Sequence, residues 1–152
     1  QIAAVTALCR SIIQRRQIPA ERVLAHSDVA PGRKKDPGEK FPWRVLHHAG
    51  VGYFIEPVPI VPGPDFVLGD RGDVIASFQH LLADYGYRVP LEGEFDETTR
   101  DAVAAFQRHF RPQRVDGVVD SSTLMTLQAL LDSRLQPAPL LTGLASHQTL
   151  RS

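Results

Sequence analysis

The sequence predicts two unlike parts in one chain: an α/β segment of helix, short strand and long loop, then an all-α unit of three short helices. Apolar residues recur at three- and four-residue spacing near the N-terminus and again in three stretches beyond position 73. A proline-rich run around position 60 separates the two patterns. Between the first helix and that run lies a Pro/Gly-rich stretch, His26-Ser-Asp-Val-Ala-Pro-Gly-Arg-Lys-Lys-Asp36-Pro-Gly38, which shows neither period and reads as irregular loop.

In the first part, Ile2, Val5, Leu8, Cys9, Ile12 and Ile13 form one stripe, with Arg10, Gln14, Arg15 and Arg16 opposite. That is the pattern of an amphipathic helix ending before Ile18-Pro19. Cys9, on the stripe, reads as a small buried hydrophobe, because no His stands beside it to activate a thiol. Val23-Leu24-Ala25 is a short apolar run that fits a buried strand, with His26 at its end. Loops at strand ends are where sites tend to sit. His47-His48 fall in a short helix expected after Pro42, and neighbours on a helix do not face one another, so they make a poor ligand pair.

From Gly50 to Pro64, prolines alternate with Val and Ile, as in a stiff extended linker. The expected organisation is residues 1–56, a linker over 57–66, a second unit over 67–135, and a loosely held tail over 136–152. In the second unit, Val74, Ile75, Phe78, Leu81, Leu82 and Tyr85 mark one helix, stopped at Gly86. Asp96 is the N-cap of the next, which carries Val103, Ala104, Phe106, Gln107 and Phe110. Asp120 opens the third, with Leu124, Leu127, Leu130 and Leu131. The unit also echoes itself. Phe78-Gln79 is answered by Phe106-Gln107, and Glu92-Gly93 before Asp96 by Asp116-Gly117 before Asp120.

Composition excludes several classes. The 152 residues are 43% hydrophobic and 22% charged, enough to build a core. Lys+Arg and Asp+Glu number 17 each, so no net basic field points to nucleic acid or to an anionic membrane surface. No run of apolar residues is long enough for a transmembrane helix. A single Cys rules out an internal disulfide framework. The opening Gln-Ile-Ala-Ala shows no signal-peptide pattern and reads as the start of a piece rather than of a whole protein.

The His26–Gly38 stretch holds the chemistry. Imidazole nitrogen and carboxylate oxygen both bind zinc, and His26 and Asp36 are the candidate ligands. Ten residues are too many for a helical pair, so the loop must fold back, with Pro31-Gly32 as the turn. Pro37 biases Asp36 towards extended backbone, which would put Lys34 and Asp36 on one side. A lysine there is placed to stabilise an oxyanion. Asp28 suits either a backbone-holding role or one beside a ligating His26. The competing reading is a solvated face of Arg33, Lys34 and Lys35, with Phe41 and Trp43 as ordinary core.

These residues, followed by Phe41-Pro-Trp43, closely resemble the final zinc-site motif of type 2 N-acetylmuramoyl-L-alanine amidases. The later part resembles the peptidoglycan-binding type 1 domain through Gly72-Asp-Val74, Phe78-Gln79, Gly93, Phe95-Asp96, Phe106-Gln107, Val115-Asp116-Gly117, Asp120 and Thr123. The resemblance implies Zn2+-dependent hydrolysis of the amide between N-acetylmuramic acid and L-alanine, with peptidoglycan or muropeptides as partner and the periplasm or cell envelope as location. It casts His26 and Asp36 as metal ligands and Lys34 as the catalytic lysine. The family's first zinc histidine and its catalytic glutamate lie upstream, on strands this sequence does not contain. The expectation is therefore the C-terminal portion of an amidase domain, inactive alone and partnered by an N-terminal half. For glycan contact, Tyr87, Arg88, Asp116 and Gly117 are the candidates, against a role as turns and caps. Two other readings compete: a non-catalytic wall-binding or scaffold protein, and a zinc peptidase acting on the stem peptide. The His26-to-Asp36 motif argues against the peptidase.

Overall fold

The computed structural model describes residues 1–135, so the tail expected over 136–152 lies outside the described residues. The architecture is mostly helical. In chain order it comprises α1 (Ile2–Arg16), a 3-10 turn (Ala20–Arg22), α2 (His26–Val29), α3 (Trp43–His48), α4 (Asp73–Tyr85), α5 (Glu97–Phe110) and α6 (Ser121–Leu135).

The first helix ends as expected, with Gln17 in the left-handed region just before Ile18-Pro19. Its apolar stripe, however, is not covered: none of its residues is buried, and Ile2, Leu8 and Ile12 are exposed. Val23 and Ala25 have extended backbone angles, as a strand would. Yet no strand forms among the described residues, and Leu24 is exposed. The expected strand holds for the torsions and fails for the pairing. A strand needs a neighbour to take its N–H and C=O groups, and no neighbour lies alongside. A second correction concerns the loop, which begins with one helical turn, α2, rather than being irregular throughout.

Beyond the linker the expected helices and caps appear. Gly86 stops α4 with φ 126°, a conformation favouring glycine. Asp96 caps α5, accepting the Thr99 N–H at 2.7 Å, and Asp120 caps α6, accepting the Thr123 N–H at 2.7 Å. The sequence echo is a structural repeat built on two buried glutamines. Gln79 Oε1 accepts the Gly93 N–H, while its Nε2 donates to the Glu94 carbonyl and the Thr99 hydroxyl. Gln107 Oε1 likewise accepts the Asp116 and Gly117 N–H groups, and its Nε2 donates to the Val118 carbonyl and the Thr123 hydroxyl. Each glutamine thus satisfies the turn that leads into the following cap, where an unpaired buried amide would cost about 1–3 kcal/mol.

The linker is extended but not free. The Val58 N–H donates to Thr126 Oγ1, Ser122 Oγ donates to the Val58 carbonyl, and Phe66 exchanges both backbone hydrogen bonds with Val119. It is strapped along α6. The two parts share one core as well. Ala25, Trp43 and Phe54 from the first part join Ile75, Phe78, Leu82, Phe106 and Phe110 from the second.

Candidate metal centre and the join between modules

The loop folds back as its spacing requires. Gly32 sits in the left-handed region at the turn, and a Cβ there would collide with the Asp101 carboxylate of α5. The Ser27 N–H then donates to the Asp36 carbonyl at 3.2 Å, closing the loop on α2. This brings His26 Nδ1 to 2.5 Å from Asp36 Oδ2, with the two side chains 75% and 58% exposed. The hydrogen bond from His26 holds the Asp36 carboxyl below its usual range. A carboxylate only accepts, so the proton lies on Nδ1 in this pair.

The donor set suits zinc in kind and in spacing. Two donors on a tetrahedral zinc at about 2.0–2.1 Å sit about 3.3 Å apart, so the pair need open by only about 1 Å. It is incomplete in number. Among the described residues, no group of three or more His, Cys, Asp or Glu side chains could hold a metal ion. His26 and Asp36 stand at the rim of an apolar groove of about 290 Å³, whose walls include Val5 and Cys9 of α1, Val23, Phe41 and Trp43. Cys9 is therefore half-covered rather than buried.

Lys34 is exposed and close enough to Asp36 to act on its charge. Its side chain borders a polar cleft of about 340 Å³ facing α5, together with Lys35, Arg100 and Arg108. Asp36 lines the apolar groove and Lys34 the polar cleft. Lys34 closes the turn with its N–H on the Ala30 carbonyl.

Asp28 is spent on structure. Its side chain is 5% exposed and takes the Ala25 N–H at 2.8 Å, Tyr87 Oη at 3.0 Å and His109 Nδ1 at 2.7 Å. Tyr87 is thereby removed from the candidate glycan contacts. It is 5% exposed, and burial, with Asp28 beside it, pushes its phenol well above the usual value. Asp116 and Gly117 serve the turn held by Gln107, with Asp116 also accepting from Arg114 and from the Val118 N–H. Arg88 alone of the four is both exposed and free of such bonds among the described residues. Trp43 is core, as one sequence reading has it, stacked on His109 with ring centroids 3.9 Å apart. Sequence reasoning missed His109. The available signal was the width of the buried face of α5, where Ala102, Val103, Ala105, Phe106, Gln107, His109 and Phe110 are all buried. A helix covered that far round packs on two sides.

Comparison with known proteins finds a likeness for each of the two parts. Residues 1–39 match the N-acetylmuramoyl-L-alanine amidase family model, and residues 71–127 match that of a peptidoglycan binding domain. Each segment is thus similar to one of those two families. Over 136 residues the chain is 40% identical to the N-acetylmuramoyl-L-alanine amidase AmiD of Escherichia coli K12, covering 87% of this chain and 48% of that protein. The chain thus spans about half the length of that relative. The solved complex of AmiD with anhydro-N-acetylmuramic acid-L-Ala-D-γ-Glu-L-Lys superposes with TM-score 0.71 at 36% identity, over 90% of this chain and 53% of that one. AmpDh3 of Pseudomonas aeruginosa superposes with TM-score 0.65 at 31% identity, over 89% and 53%.

Proposed function

We propose that this chain is the C-terminal portion of a zinc-dependent amidase that cleaves the bond between N-acetylmuramic acid and L-alanine, acting on peptidoglycan in the periplasm or cell envelope. The observation that carries the reading is the His26–Asp36 pair, drawn into contact across ten residues within the segment that matches the amidase family. No helix among the described residues is long and apolar enough to cross a membrane.

In this reading His26 and Asp36 hold two positions on the metal, and a third ligand and a general base come from sequence outside this chain. The uncovered stripe of α1 and the exposed Leu24, in extended chain without a strand partner, are the surfaces that such a segment, bearing a sheet, would cover. When bound, zinc supplies Lewis-acid activation of water and of a carbonyl. Lys34 contributes a mobile ammonium that stabilises the negative charge developing on the scissile carbonyl oxygen. The C-terminal module keeps the enzyme on the polymer, and Arg88 is its remaining candidate for glycan contact.

The test uses the longer protein. Asp36→Ala should lose zinc and turnover together. Lys34→Ala should keep zinc and lose turnover by about 10²–10³-fold. Equal muropeptide hydrolysis by the Lys34 variant and the wild type would remove that residue from the mechanism. The alternative, a non-catalytic wall-binding protein, is favoured by the two-member donor set. It predicts no zinc at His26 in the full-length protein and retention on sacculi without hydrolysis.

A further inference from the structure

The helix that opens with His26 is a single turn of four residues, too short to hold itself. What fixes it comes largely from the other module. The carboxylate of Asp28, two residues on, receives one donor from its own turn and two from far along the chain: the Tyr87 hydroxyl and His109 Nδ1. All three side chains are at least nine-tenths buried. Trp43 covers the His109 ring on one face, and Phe110 lies parallel to that ring with centroids 4.0 Å apart. The loop tip is seated a second time where Gly32 meets Asp101.

We infer that Asp28, Tyr87 and His109 form a latch by which the wall-binding module positions the metal-ligand turn. The inference rests on the amidase reading for its effect on turnover and on geometry alone for its effect on the turn. A module that serves only as a tether has no influence on a small soluble substrate. A latch does, because a ligand displaced by a fraction of an ångström from its working geometry slows chemistry without altering wall binding. Tyr87 and His109 are thus positioning residues, acting through Asp28 and α2 on His26.

The experiment uses the full-length protein and the variants Tyr87→Phe, His109→Leu and His109→Asn, the last of which can still place an N–H donor near Asp28. Three quantities are read: kcat and KM on a soluble anhydromuramyl tripeptide, retention on sacculi, and amide hydrogen exchange at Ser27. Tyr87→Phe should lower kcat about tenfold with KM and sacculus retention within about twofold. It should also speed Ser27 exchange at least about tenfold while α6 is unchanged. His109→Asn should recover part of what His109→Leu loses in both readouts. Wild-type kcat and unchanged Ser27 exchange in Tyr87→Phe and His109→Leu would overturn the latch. If the wild type hydrolyses nothing, the amidase reading fails, and Ser27 exchange alone then decides whether the latch stands.

Discussion

Residues 1–56 and residues 67–135 are stabilised by opposite means. The C-terminal module closes on itself: two glutamines with no exposed surface satisfy its turns, two aspartates cap its helices, and Phe95, Phe106 and Phe110 lie fully inside. The N-terminal segment has a first helix without one buried residue and an extended run without a partner strand among the described residues. Much of its order is borrowed, through Trp43 on His109, Asp28 on Tyr87 and His109, and the Tyr53 hydroxyl donating to Ser133 Oγ at 2.9 Å. The His26–Asp36 pair therefore sits on a segment that leans on the module beside it.

Three changes probe that contrast, in descending size. Gln107→Ala should cost about 2–4 kcal/mol, since it leaves the buried Gly117 N–H and the part-buried Asp116 N–H and Val118 carbonyl without their partner. Chemical denaturation followed by helical circular dichroism would measure it. A loss below about 1 kcal/mol would mean that water takes over those groups and that the module is less closed than described.

Acid comes next. Burial opposes ionisation of Asp96, but the Thr99 hydroxyl and N–H outweigh it and hold its carboxyl below the usual range. Burial likewise opposes Asp116, and hydrogen bonds from the Val118 N–H and Arg114 outweigh it. Depressed carboxyls stabilise the fold above the unfolded value of about 3.9 and lose that contribution as pH falls through their folded values. The melting temperature should therefore hold from about pH 7 to pH 4 and drop below it. Asp96→Asn, which still caps, should show a shallower drop; an unchanged acid profile would exclude Asp96 as a source. The smallest effect belongs to α1. Ile12→Ser should change the stability of this chain by no more than about 0.5 kcal/mol. A large loss would show that the stripe is covered.

Much of this was legible in the residues. Glycine and aspartate punctuation located α4, α5 and α6, and the paired Phe-Gln signals marked a repeat whose physical basis is the turn each glutamine holds. The ten-residue spacing of His26 and Asp36 required a folded-back loop, and Pro31-Gly32 made one. Properties that depend on what lies across a gap were not legible. Val23–Ala25 has strand composition, but pairing needs a neighbour that local sequence does not encode. Tyr87 follows a helix-stopping glycine, a place that usually faces solvent, yet it joins the core and meets Asp28 from 59 positions away. His109 is one more position on a helical face until Trp43 stacks on it.

The contrast between a self-contained module and a borrowed segment is tested most directly by amide hydrogen exchange across the whole chain. Amides of α5, within the shared core, should exchange with the global unfolding free energy, and those of α1 at least about 100-fold faster. Equal protection of α1 and α5 would contradict the account.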